Sequence, residues 1–203
     1  MKQARAACAL LALALLCACT GAKRFAYEGI GRDEWQKPEE VIRALELKPG
    51  DRVADLGAGS GYFTFRLARA VGPAGKVYAV DIDPDMIAVL GERAKSENAA
   101  NVEIVSAKPD DPGLAPGSVD LIFTSDAYHH IDDRVAYFAS VAKVLRPGGR
   151  IAIIDFNGSG WAIRMSGHYT PEETVRKEMA RAGYRLVKQA DFLEKQYLLV
   201  FSR

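Results

Sequence analysis

The sequence predicts one doubly wound α/β domain, and three observations lead there. Short apolar runs alternate with amphipathic runs from Pro38 to the end of the chain. A glycine-rich turn, Gly57-Ala58-Gly59-Ser60-Gly61, follows the first apolar run. Two β-rich runs close the chain with only residues 191–194 between them. Repeated strand–helix units require right-handed crossovers and a mainly parallel sheet covered on both faces. The closing connection is too short for a helical crossover, so the last two strands should pair antiparallel. The 203 residues suit a single domain with a sizeable core, and 49% hydrophobic with 26% charged content is ordinary for a folded protein.

The first segment stands apart. Lys2 and Arg5 precede an uncharged apolar run over residues 6–18. At about 1.5 Å per residue this run is too short to span a hydrocarbon core of roughly 30 Å. A basic start, a short apolar centre and small residues at its end mark residues 1–18 as a secretory signal peptide, with a buried N-terminal helix as the alternative. All three cysteines, Cys8, Cys17 and Cys19, fall in the first nineteen residues, so no disulfide framework ties the remainder. Leu16-Cys17-Ala18-Cys19 resembles a bacterial lipobox, which implies a lipid anchor at Cys19 and an exported protein, periplasmic or membrane-anchored. Cys17 departs from the small or hydroxylated residue usual at its position, which leaves plain cleavage open.

The formal charge of +1 rests on 27 basic and 26 acidic residues, and removing residues 1–18 takes two basic ones, leaving 25 − 26 = −1. Neither value suggests a nucleic-acid partner. Residues 19–37 are mixed and polar, with Gly29, Gly31, Tyr27 and Trp35, and read as a linker or N-terminal arm. The two aromatics either fold over a ligand or simply pack.

The domain proper is expected over residues 38–203. Pro38-Glu39-Glu40 opens a helix whose apolar face is Val41, Ile42, Leu45 and Leu47, and Lys48-Pro49-Gly50 ends it. A strand follows at 52–56, then a helix at 62–71 with Phe63, Leu67, Ala70 and Val71 on one side. Next come a strand at 76–80, a helix at 84–96 opened by Asp83 or Pro84, and strands at 102–105 and 119–124. A helix at 133–145 leads through Arg146-Pro147-Gly148-Gly149 into a strand at 150–155. The last helix, 171–182, stops at Gly183, and strands at 184–190 and 195–201 finish the chain.

The glycine turn sits where the first βα connection of a doubly wound sheet forms its ligand crevice. Gly57 permits the sharp turn, Gly59 lets the backbone approach a ligand, and Gly61 lets the helix start close to the strand. A dinucleotide fingerprint needs Gly or Ala three positions after Gly59, where Tyr62 stands, and no Gly-Lys-Ser/Thr follows to make a P-loop. Asp81 ends the next strand, 24 residues after Gly57, where a carboxylate can accept from both hydroxyls of a ribose. Its competing role is as a cap of the next helix, for which Asp83 is better placed.

Asp55-Leu56-Gly57-Ala58-Gly59-Ser60-Gly61, Asp81, Ser118-Val119-Asp120-Leu121-Ile122 and Leu145-Arg146-Pro147-Gly148-Gly149 together resemble class I S-adenosylmethionine-dependent methyltransferases, over roughly residues 38–203. The resemblance implies a Rossmann-like seven-stranded sheet with a reversed last hairpin. It implies that Gly57, Gly59 and Gly61 line the methionine and ribose portions of the cofactor, S-adenosylmethionine. Asp55 would hold its amino group, directly or through water, and Asp81 its ribose. Such enzymes carry an Asp for the adenine amino group after the third strand, but this chain reads Ser106-Ala107-Lys108-Pro109-Asp110-Asp111. The acid is then displaced to Asp110 or Asp111, Asp110 preferred, or backbone groups replace it.

After the fourth strand, Asp126, Tyr128, His129 and His130 face the donor methyl, and His129 is the candidate for proton transfer. Its alternative role is to orient the loop. Adjacent histidine side chains diverge and no Cys or acidic ligand spacing joins them, so no metal site is expected. His168 and Tyr169 either line the pocket mouth or are solvent-exposed turn residues. The reaction implied is direct methyl displacement onto a small-molecule acceptor, since the short chain has no large insertion and no basic recognition stripe. An exported, non-catalytic S-adenosylmethionine- or nucleoside-binding protein on the same fold is the alternative. A nicotinamide-dependent oxidoreductase is disfavoured by Tyr62.

Overall fold

The computed structural model describes residues 31–159 and 161–203. The signal expected over residues 1–18, the chain's three cysteines and Tyr27 lie outside the described residues.

Seven strands form one sheet: β1 (Arg52–Leu56), β2 (Lys76–Asp81), β3 (Val102–Ser106), β4 (Val119–Ser125), β5 (Leu145–Phe156), β6 (Arg185–Ala190) and β7 (Gln196–Ser202). Their order is β3-β2-β1-β4-β5-β7-β6. The first five run parallel, and β7 pairs antiparallel with both β5 and β6. The helices are α1 (Arg32–Gln36), α2 (Pro38–Leu45), α3 (Thr64–Val71), α4 (Pro84–Ser96), α5 (Arg134–Val141), α6 (Trp161–Ser166) and α7 (Glu172–Arg181). The central strands are apolar on both faces because both faces are covered. On one face Val53, Val77, Leu121 and Phe123 pack against Val41 and Leu45 of α2 and Leu67 and Val71 of α3. On the other, Ala54, Ile122, Ile151 and Ile153 pack against Phe138 and Val141 of α5 and Val175 and Met179 of α7.

Most expected elements appear with their ends moved by one or two residues, and the differences have local causes. The helix expected at 62–71 starts at Thr64, because Tyr62 and Phe63 still belong to the turn. The helix expected at 133–145 stops at Val141 and tightens into a 3₁₀ turn, Ala142–Val144. Strand β5 begins at Leu145, and the pairing jumps from Val119↔Leu145 to Leu121↔Arg150. The Arg146-Pro147-Gly148-Gly149 segment is the excess length, looped out where Pro147 has no N–H to give the ladder and Gly148 has φ +79°. Two short helices were not expected: α6, and α1 within the segment read as an arm.

The connections out of β1 and β4 run to opposite sides of the sheet, so the carboxyl ends of these neighbours open a crevice at the topological switch point. That edge carries the glycine turn, Asp126 and His129. Among the described residues no helix is long and apolar enough to cross a membrane.

Candidate functional site

At the end of β1 the backbone turns with φ +72° at Gly57, +55° at Gly59 and +86° at Gly61, a region open to glycine and strained for other residues. The N–H groups of Gly57 and Ala58 both donate to the Val80 carbonyl, which ties the turn to β2. A Cβ at Gly61 would lie 2.6 Å from Phe65 Cε2 and 2.9 Å from Leu90 Cδ2, so the close approach of turn and helix requires glycine there.

Asp81 is buried, and its carboxylate organises the turn rather than standing free at a strand end. Oδ2 accepts from the Gly59 N–H at 2.7 Å and Oδ1 from the Asp83 N–H at 2.9 Å. A carboxylate has about four acceptor positions, so two remain. Capping of α4 falls to Asp83, whose side chain accepts from the Asp85 N–H. Ile82 beside it leaves an apolar side chain 59% exposed. Asp55 is buried and accepts from Thr64 Oγ at 2.6 Å. Burial pushes its acid up to about 7; the Asp81 charge adds to this, while the Thr64 hydrogen bond opposes it. Asp110 is exposed, in a turn closed by paired backbone bonds between Lys108 and Asp111. Asp111, also exposed, accepts from the Gly113 N–H at 3.1 Å in that same loop.

Across the crevice, Asp126 follows β4 with φ +58°, rare for a residue other than glycine. Its carboxylate accepts from Arg32 at 3.0 Å, Gln36 at 3.2 Å, Ser125 at 3.3 Å and Gln196. Burial raises its acid, with Arg32 acting against the rise. Residues Tyr128–His130 form one 3₁₀ turn, anchored by the fully buried Tyr128. The Tyr128 ring stacks on Phe138 and its hydroxyl donates to Glu178, which Arg134 also holds. This turn aims His129 at Asp155, with Nδ1 and Oδ1 2.8 Å apart and both side chains buried. A carboxylate accepts, so Nδ1–H donates, and a neutral ring in this tautomer carries its lone pair on Nε2. The second Asp155 oxygen is buried, with no hydrogen-bond partner among the described residues.

The three histidines come together. Ring centres of His129 and His130 are 4.2 Å apart, and that of His168 lies 5.6 Å from the first and 5.5 Å from the second. The divergence expected of adjacent histidines fails because the 3₁₀ turn brings both rings to the same side. Burial, with the other two imidazoles beside it, holds His130 below the ordinary imidazole range. Among the described residues no group of three or more His, Cys, Asp or Glu is set to hold a metal ion.

The end of the expected arm is part of the site. Gln36 is fully buried and bonds Ser125 as well as Asp126, Asp33 accepts from the Tyr62 hydroxyl at 2.6 Å and pairs with Arg66, and Trp35 packs on Phe156 with ring centres 5.7 Å apart. Sequence reasoning missed Arg32, Gln36, Gln196 and the pairing of Asp155 with His129. Only Asp155 carried a signal, since it ends the strand expected at 150–155 just as Asp81 ends β2.

The family model described as "Methyltransferase domain" matches residues 47–195. An arsenite methyltransferase of Halobacterium salinarum is 36% identical over 109 residues, 54% of this chain and 28% of that protein. A ubiquinone/menaquinone biosynthesis C-methyltransferase, UbiE, of Francisella philomiragia is 30% identical over 124 residues, 61% of this chain and 49% of that protein. The chain therefore spans less than half the length of these relatives. A crystal structure of a SAM-dependent methyltransferase from Aquifex aeolicus superposes with a TM-score of 0.81 at 25% identity, covering 89% of this chain and 96% of that one.

Proposed function

The chain belongs to the methyltransferase-domain family, whose cofactor is S-adenosylmethionine, and on that footing we propose that it methylates a small molecule whose proton is taken by His129. The residues present fit the cofactor. Asp81 keeps two acceptor positions for the ribose hydroxyls while its other two hold the Gly59 N–H of the glycine turn and the Asp83 N–H at the start of α4. Ile82 offers an exposed apolar surface beside it for the base, and Asp110, exposed in the loop after β3, is the acid offered to the adenine amino group. Asp55 lies at the end of β1, where an ammonium group would draw it into its ionised form. When bound, S-adenosylmethionine supplies an electrophilic methyl group on a sulfonium.

The observation that carries the catalytic part is the buried His129–Asp155 pair at the carboxyl ends of β4 and β5. Asp155 fixes the ring and its tautomer, and Nε2 is left to accept a proton from a hydroxyl, an amine or an acidic carbon. Alignment of the acceptor in a closed site supplies the remainder of the acceleration. Residues 20–203 hold no cysteine, so the domain offers no thiolate to a soft acceptor such as the arsenite named for one relative. The test is to incubate the protein with methyl-labelled cofactor and a cell extract, then separate small from large products. Label should enter a low-mass compound, and His129→Gln should slow its appearance by about 10²- to 10⁴-fold. Label in protein or nucleic acid contradicts the acceptor class. Cofactor binding without transfer to anything points to the non-catalytic binding protein instead.

The proposal extends to location, on the strength of the apolar run at 6–18 and the Leu16-Cys17-Ala18-Cys19 tetrapeptide. In it, Cys19 carries a lipid, and the segment up to Arg32 tethers the domain to a membrane.

A further inference from the structure

The end of the sheet opposite the crevice holds a cavity of about 890 Å³. It lies at the amino ends of β1 and β2, between the last turn of α3 and the turn that follows α4. Arg52 and Lys76, paired neighbours at the start of the two strands, line it with Arg69 of α3 and with Arg146 from the segment looped out of β5. Against these four cations, Glu97 is the one carboxylate among the described residues that line it. That acid belongs first to Arg93, at 2.7 Å, and lies 3.7 Å from Arg69, whose side chain is 64% exposed. Lys76 pairs with Glu103 at 2.8 Å and Arg146 with Asp120 at 3.0 Å, both acids outside the lining. Arg52 has no carboxylate partner among the described residues: its Nη2 donates to the neutral Tyr78 hydroxyl, and its Nε is buried with no hydrogen-bond partner among them. A half-buried guanidinium without an anion is a charge left partly uncompensated.

We propose that this cavity binds a phosphate-bearing molecule, with Arg52 and Arg69 as the cations that anchor its phosphate. The carbonyls that would repel an anion there are already taken. Asn101 Nδ2 donates to the Ala68 and Gly72 oxygens at 2.8 and 2.9 Å, and the Gly50 N–H to the Val71 oxygen at 2.8 Å. The negative end of α3 is thereby covered. Guanidinium forks from two separate elements suit a phosphate, which has oxygens for both, better than a carboxylate, which one fork fills. The volume falls in the range of about 300–1,000 Å³ usual for organic ligands, and Phe65, Ala68 and Ala99 give the remainder of the molecule an apolar wall. The site does not depend on the methyltransferase reading, because the whole sheet separates it from the glycine turn. A soluble phosphate ester and a phospholipid headgroup present the same group, and the test separates them.

Pyrophosphate is titrated into the full chain in a calorimeter at constant ionic strength. The wild type should show one saturable site. Arg52→Gln should weaken it roughly ten- to hundredfold and the more exposed Arg69→Gln about tenfold, as expected for loss of charge-assisted pairs. Lys177→Gln removes the same charge from an exposed pair on α7, outside the cavity, and should stay within about twofold. Arg69→Gln changes a surface side chain, so it carries the test by itself if circular dichroism shows that Arg52→Gln does not fold. No saturable site in the wild type, unchanged affinity in Arg69→Gln, or equal weakening in all three variants would overturn the proposal. The source is read by sedimentation with vesicles of phosphatidylcholine, with and without phosphatidic acid. Extra binding to phosphatidic acid that Arg69→Gln abolishes assigns the site to a lipid headgroup. No extra binding, or extra binding that survives Arg69→Gln, assigns it to a soluble phosphate ester.

Discussion

Asp55 is where burial and function pull against each other. Its acid is pushed up to about 7 in the fold, whereas an aspartate in an unfolded chain titrates near about 3.9. The folded protein therefore disfavours the ionised form. The cost is absent below about pH 4, grows between about 4 and 7, and is complete above that window, so stability from this group falls as pH rises through it. Asp55→Asn should raise Tm at pH 8 and change it little at pH 3.5, as read by scanning calorimetry. A wild-type-like Tm at pH 8 would mean that Asp55 is solvated. The sequence identified Asp55 through the motif but carried no sign of Thr64 as its hydrogen-bond donor. His129 was likewise legible as a residue type at a strand end, while its partner Asp155 depends on a register between β4 and β5 that only the folded sheet sets.

Elements were legible where periodicity is strong. The strands and the helices α2, α3, α4 and α7 follow from apolar spacing and from Pro, Gly and Asp at their ends. Helix α1 was not legible, because five residues with no repeating apolar face cannot form a stable helix by themselves. It exists because Gln36, Asp33 and Trp35 each find a partner contributed by a distant segment. Helix α6 escaped for a related reason: Trp161 and Met165 remain about four-fifths exposed, so no buried stripe betrays it. The glycine turn is the opposite case, since Gly61 is dictated by the junction it makes. Gly61→Ala would force a Cβ into Phe65 and Leu90 at φ +86°. The expected loss is at least about 2 kcal/mol of unfolding free energy in a urea titration. A loss under about 0.5 kcal/mol, the usual effect of a surface substitution, would mean that the turn can relax away from α3.

At the scale of the molecule, the order β3-β2-β1-β4-β5-β7-β6 places every candidate group of the crevice on one edge. The parallel crossovers and the antiparallel end were legible in the spacing of the runs. Which side chains meet was not, because Arg32 and Asp126 are 94 positions apart and no local pattern connects them. Attachment belongs to this scale too. If Cys19 is lipidated, Cys19→Ser should move the protein out of the membrane fraction while its cofactor affinity stays the same, and Cys17→Ser should change neither. Wild-type protein recovered wholly in the soluble fraction, with Met1 retained, would contradict both the anchor and export.

The donor site itself is tested most directly by titrating the protein with S-adenosylmethionine in a calorimeter, alongside Asp81→Asn. The account predicts a single saturable site in the wild type and no binding of a nicotinamide dinucleotide. It predicts a loss of about 1.5–3 kcal/mol in the variant, because one carboxylate both holds the Gly59 N–H and meets the ribose. No saturable heat with S-adenosylmethionine, or equal affinity in the two proteins, would contradict it.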